Sequence, residues 1–154
     1  MKMQFSKSKI AIAGLFVFVT LAFILMRTAG RPMLYEIPGG FKGWIAIRFN
    51  DPTCPPLQRR GIWSVVEISP SGRACTSTKH DNRWVYYRFE YIYPGGNRKE
   101  LALRSGNDPA GEIQVRLVTF LSEYQWEELF VGTKEDAGAN WGKPPDPWNN
   151  PEHK

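Results

Sequence analysis

The sequence predicts an all-β fold, a small single-domain β-sandwich of about seven antiparallel strands behind an N-terminal transmembrane or signal segment. Two features predict the strands. Apolar and polar residues alternate with the period of two of a pleated backbone, and Pro- or Gly-bearing turn signals interrupt the alternation roughly every eight to twelve residues, the rhythm of a sandwich. A third feature predicts the leading segment: an unbroken apolar run, Ile10–Met26, with Lys2, Lys7 and Lys9 before it and Arg27 after it.

Residues 1–30 are therefore read as a targeting element. The seventeen-residue run is near the lower bound for a helix that spans a bilayer. A removable signal needs small residues at its cleavage site, and cutting after Ala29 would put Arg27 where one is wanted. No Cys follows closely, which disfavours a lipoprotein anchor. The sequence thus favours an uncleaved signal anchor over a cleaved signal and leaves both open. The lysines and amino terminus before the run turn the rest of the chain outward. The expectation is a single-pass protein of the inner, cytoplasmic membrane, held through residues 10–26 with its C-terminal domain in the periplasm or outside, or a secreted protein where the signal is removed.

The β domain is expected over residues 33–134. Pro38 and Gly40 form a corner, and Gly43–Phe49 alternates Ile45, Ile47 and Phe49 against Trp44, Ala46 and Arg48. The prolines of Asp51–Pro56 lack a backbone donor, so that stretch is a loop. Gly61–Ile68 is the next strand; Pro70 and Gly72 suit the second and fourth positions of a tight turn, and Arg73–Lys79 reads as its hairpin partner. Trp84–Tyr93 is the richest β stretch, with Val85, Tyr87, Phe89, Tyr91 and Tyr93 on one side. Pro94–Asn97 turns it into a charged strand suited to a sheet edge, Arg98–Arg104. Ile113–Leu121 reads as a central strand. Ser122–Gly132 combines a capping box, Ser122 with Gln125, and helical spacing of Trp126, Leu129 and Phe130, and is read as a helical turn running into a strand that ends at Gly132. Residues 135–154, dominated by Pro, Asn and Gly, are read as a disordered tail.

Charge excludes one class of function. The chain has 20 Lys and Arg against 15 Asp and Glu, but Lys2, Lys7, Lys9 and Arg27 belong to the leader and every acidic residue lies beyond it. The body is left near +1, too little to neutralise a run of phosphates, so no nucleic-acid partner is expected. Cys54 and Cys75, both in the outward part, are expected to form a disulfide, worth about 3 kcal/mol for a loop of this length.

No constellation for catalysis stands out. His80, with Asp81 and Arg83 nearby, is one histidine in a polar stretch without a nucleophile elbow, and one His with one Asp falls short of a metal site. Glu127 and Glu128 are adjacent, point to opposite faces of a strand and read as solvated charges. No enzyme activity, metal or other cofactor is expected. Trp44, Trp63, Trp84, Tyr86 and Trp126 exceed what a small core easily hides, which makes them a candidate surface for a protein or cell-wall component; the competing reading places them in the core.

The segments Tyr35–Leu57, Glu67–Thr78 and Leu129–Thr133 resemble an uncharacterised family of bacterial exported domains, a domain of unknown function (DUF6843-like). The resemblance rests on Ile37, Pro38, Gly40, Phe41 and Gly43, on Pro70, Gly72 and Thr76, and on Phe130–Thr133. It implies that these turn residues are architectural, and it brings no catalytic residue. The function expected is that of a non-enzymatic envelope module for binding or interaction; the alternatives are a periplasmic inhibitor or immunity-type protein and, behind it, an enzyme with a site near His80.

Overall fold

The computed structural model describes residues 15, 17–20, 30–81, 85–104, 111–121 and 125–140. The chain divides into two compact units, one of residues 1–30 with 81–85 and one of residues 31–80 with 86–154. In the first, Leu15 and residues 17–20 are helical, and Leu15, Val17, Phe18 and Val19 are exposed. Among the described residues no helix is long and apolar enough to cross a membrane; most of Ile10–Met26 lies outside them.

The second unit is the β-rich body. Its strands are β1 (Met33–Pro38), β2 (Gly43–Arg48), β3 (Gln58–Arg60), β4 (Trp63–Glu67), β5 (Arg73–Cys75), β6 (Tyr87–Ile92), β7 (Arg98–Leu103), β8 (Gln114–Leu121) and β9 (Trp126–Gly132), followed by helix α1 (Lys134–Asn140). They form one sheet in the order β3-β4-β1-β6-β7-β8-β9-β2-β5. The predicted all-β class holds. The count is nine: β1, a six-residue strand ahead of the Pro38–Gly40 corner, and β3, at three residues too short to show alternation, add to the seven expected. The pairing is mixed, because β1–β4, β1–β6, β2–β5 and β7–β8 run parallel.

The sheet curls until its halves face each other. Tyr35 on β1 donates its phenol proton to Glu127 on β9, a strand four places away in the sheet order, at 2.6 Å. Between the halves lies the core. Tyr35, Ile37, Val66, Phe89 and Tyr91 come from one half, and Ile45, Ile47, Leu129 and Val131 from the other, all almost fully buried. Tyr35 stacks on Phe89 at 4.8 Å. Side chains of this size bury roughly 2 kcal/mol of transfer free energy each.

Four predicted elements come out differently. The Ser69–Gly72 turn forms, with the Gly72 amide donating to Ser69 O at 2.9 Å, but β5 leaves β4 and pairs in parallel with β2 of the opposite half. The turn is an arch between layers, not a hairpin. Gly72 makes this possible: its φ is +76°, and a Cβ there would stand 2.4 Å from the Trp44 carbonyl oxygen. Strand β7 is interior in the order, held to β8 by two residue pairs, so its charges do not mark an edge. Residues 126–132 are strand throughout, because pairing with both β8 and β2 overrides the helical spacing. The tail stretch is not irregular from its start: α1 occupies residues 134–140, capped where Thr133 N donates to Asp136 at 3.0 Å and Asp136 N to Thr133 Oγ1 at 3.1 Å.

The ladder directions give the body two ends. At the near end β1, β4, β6 and β9 start and β2, β3, β5, β7 and β8 finish; at the far end lie the turns Gly39–Lys42, Ser69–Gly72 and Pro94–Asn97.

Candidate binding cleft

The proposed aromatic surface is not assembled as one face. Trp44 projects from β2 edge-on to Phe130, ring centroids 5.3 Å apart, on the outer side of one half, and Trp126 shares that side across from Arg48. Trp63 stands on the outer side of the other half, 5.8 Å from the ring of exposed Tyr86. The Trp63–Tyr86 pair is brought together; Trp84 lies outside the described residues. The turn residues all sit at the far end. Pro38 and Phe41 close a turn, Phe41 N to Pro38 O at 3.0 Å, around Gly40 at φ +80°, the left-handed third position that favours glycine. Gly43 starts β2, and Pro70 is exposed beside Gly72. Gly132 has no room for a side chain, since a Cβ would meet Phe130 at 2.7 Å.

A cleft of about 210 Å³ lies elsewhere, at the seam of the curled sheet. Ile47 and Val66 form its buried floor. Val65, Val66 and Glu67 of β4 make one wall, Ala74, Cys75 and Thr76 another, and Pro55, Pro56, Leu57 and Gln58 the third. The first two walls belong to strands near opposite ends of the sheet order. Strand β5 is terminal and pairs on one side only, and β3 accompanies β4 no further than Val65, so Val66 and Glu67 extend beyond it.

The third wall is the proline-bearing loop, and the sequence holds it rigid. Cys54 and Cys75 are joined by a disulfide, with 5.8 Å between their Cα atoms. Asp51 accepts from Thr53 N at 2.9 Å and Thr53 Oγ1 at 2.7 Å and pairs with Arg48. Thr76 Oγ1 donates to Pro55 O, and Leu57 N to Thr78 Oγ1, both at 2.9 Å. Three prolines and these bonds remove most of the loop's freedom before any ligand arrives.

His80 does not line this cleft. It is buried, edge-on to Phe49 at 4.9 Å. Among the described residues no group of three or more His, Cys, Asp or Glu could hold a metal ion.

Beneath the floor lies a residue the sequence misplaces. Glu127 pairs in register with Ile47 and is only 2% exposed, while Glu128 takes the other face. Burial pushes its carboxyl up to about 7, against the hydrogen bond from Tyr35, which lowers it. Tyr35 is held well above an ordinary phenol, by burial and by the charge of Glu127. The faces alternate as the sequence predicts; which face is inside is set by Leu129 and Val131, two and four residues on.

A second acidic group spans the outer face. Register aligns Glu67, Glu36, Glu90 and Glu100 in one row across β4, β1, β6 and β7. Arg60 and Arg98 pair with Glu36, Arg98 with Glu90 at 2.9 Å, and Arg88 with Glu90 at 2.9 Å and Glu100 at 3.0 Å. Partial burial of Glu36 opposes ionisation, but the hydrogen bonds from Arg60 and Arg98 prevail and hold its carboxyl below the usual range. Three arginines thus tie three of the four carboxylates into a brace across the sheet.

Residues 29–135 match a family described as a family of unknown function, DUF6843. The chain belongs to this family. The DUF6843 domain thus covers the whole β-rich body and ends at the start of α1. No curated protein matches the chain. A crystal structure described as that of a "Putative Lipoprotein from Bacillus anthracis" is similar, with a TM-score of 0.50 and 21% identity over 79% of this chain and 86% of that one; at this identity it speaks for the fold alone.

Proposed function

We propose that this DUF6843 protein is an exported, membrane-tethered module without enzymatic activity, which binds an extended, largely apolar protein segment in the seam cleft. The observation that carries the reading is the seam. Two strands from opposite regions of the sheet order flank an apolar, proline-walled slot. Adding an extended segment to such an edge is a common mode of peptide recognition: the backbone contributes affinity and the pocket selectivity. The exposed apolar side chains of helical Leu15, Val17, Phe18 and Val19 support a tether, since such a surface favours lipid over water. The lipoprotein description of the similar structure supports the envelope setting.

Capture from membranes by the full-length chain tests the reading. Ala74→Phe fills the cleft from a half-buried position and should abolish capture of the partner while leaving the thermal midpoint within a few degrees. Equal capture by the variant would sink the seam as the binding site. Loss of cellular function in His80→Ala with unchanged stability would instead favour an enzyme.

A further inference from the structure

The large apolar side chains exposed in the body, among the described residues, are Ile62, Tyr86, Leu103 and Leu117, at 75%, 67%, 42% and 43% exposure. They come from four separate segments; the ladders bring Ile62, Tyr86 and Leu103 to the near end, while Leu117 lies midway along β8 where that strand runs past the end of β7. Ile62 is in the turn between β3 and β4. Tyr86 immediately precedes β6. Leu103 ends β7, and Leu117 is two residues beyond Val115, the β8 partner of Leu103. Half-buried Trp63 joins them through its contact with Tyr86. Exposed Arg31, Arg59 and Arg104 belong to the same end: Arg31 precedes β1, Arg59 is opposite Ser64, and Arg104 follows Leu103. The far end is finished instead with exposed Gly39, Gly40, Pro70, Ser71 and Pro94–Asn97.

The near end is also where the chain arrives from the apolar run. Six residues separate Met26, the last of the run, from Met33, the first of β1. We infer that the near end is a membrane-facing apron, on which Ile62, Tyr86 and Leu103 meet the headgroup layer of an anionic bilayer while Arg31, Arg59 and Arg104 lie against its phosphates. Aromatic and aliphatic side chains flanked by arginine are the composition that settles at this interface, and anionic lipid attracts such cations over a Debye length. The apron orients the body so that the glycine-rich far end points away from the membrane. This inference rests on the tethered reading above.

The test uses the full-length chain in vesicles of phosphatidylcholine with or without phosphatidylglycerol, with the photo-crosslinker benzoylphenylalanine placed singly at Ile62, Tyr86 or, as a far-end control, Asn97. The expected result is a chain resistant to alkaline carbonate, with lipid adducts at Ile62 and Tyr86 several-fold above Asn97. Phosphatidylglycerol should raise that yield, and Arg59→Gln combined with Arg104→Gln should remove the rise. Carbonate resistance with equal adducts at both ends, or adducts to a second copy of the chain instead of lipid, would overturn the apron and leave the tether standing. Release of the chain by carbonate would overturn both.

Discussion

The two ends of the body are built on different principles. At the far end, turns of a few residues join the strands, and the sequence is constrained by backbone geometry: Gly40, Gly72, Gly95 and Gly96 hold left-handed φ values, and Gly39 and Gly72 lie where a Cβ would strike Tyr93 or the Trp44 carbonyl. At the near end, longer connections such as residues 49–57 are pinned by a disulfide and side-chain hydrogen bonds, and apolar and cationic side chains are displayed. One end is restricted by what the chain can fold into, the other by what the surface must meet. Of the residues that carry the family resemblance, Pro38, Gly40, Gly43, Pro70, Gly72 and Gly132 belong to the first, and Thr76, just past β5, to the second.

Substitution should therefore cost far more at the far end. Gly72→Ala is expected to be the most damaging single change, because its Cβ meets backbone, which moves only with the sheet, and φ is unfavourable as well. A loss of about 3 kcal/mol or more, read as a collapse of the thermal midpoint, would fit; a loss under about 1 kcal/mol would show that the arch tolerates a side chain. Replacing both Cys54 and Cys75 by Ser should cost about 2–4 kcal/mol in chemical denaturation, making the near end depend on its covalent link as the far end depends on glycine.

Glu127 lies between the ends and gives a pH test. Its folded carboxyl titrates near 7 against an ordinary 4.5, so between those values the folded state holds a proton that the unfolded chain has released. Stability should then fall as pH rises from about 4.5 to 7, by roughly 3 kcal/mol at most, and Glu127→Gln should flatten that dependence. Glu36 acts in the other direction, its contribution being lost on acidification below about 4.5, so the two windows separate. The smallest effect is expected for Ile62→Ser at the near end, within about 0.5 kcal/mol by thermal unfolding. A large loss there would mean that Ile62 packs rather than displays.

What was legible in the sequence follows the same division. The alternation of Ile45 and Ile47, or of Tyr87, Phe89 and Tyr91, reports a half-buried strand whatever its partner, and the Pro-Gly turns report local φ and ψ. Partner choice is not local. The Ser69–Gly72 turn specifies a chain reversal but not whether β5 rejoins β4 or crosses to β2; that is decided by Gly72 fitting against Trp44. The helical spacing of Trp126, Leu129 and Phe130 was outweighed once Leu129 and Val131 had a strand on each side to join; Ser122 of the capping box lies outside the described residues. The cleft had no signature at all, because its lining comes from four separate segments. The burial of Glu127 depended on knowing which of two alternating faces turned inward.

The position of β1 has a mechanical consequence. It is the strand joined to the leader, and it lies between β4 and β6, parallel to both. Tension transmitted through Arg31 along the strand loads the hydrogen bonds of both ladders together, in shear, instead of peeling them apart in succession. On the tethered reading proposed above, the body is gripped at the point where the load enters.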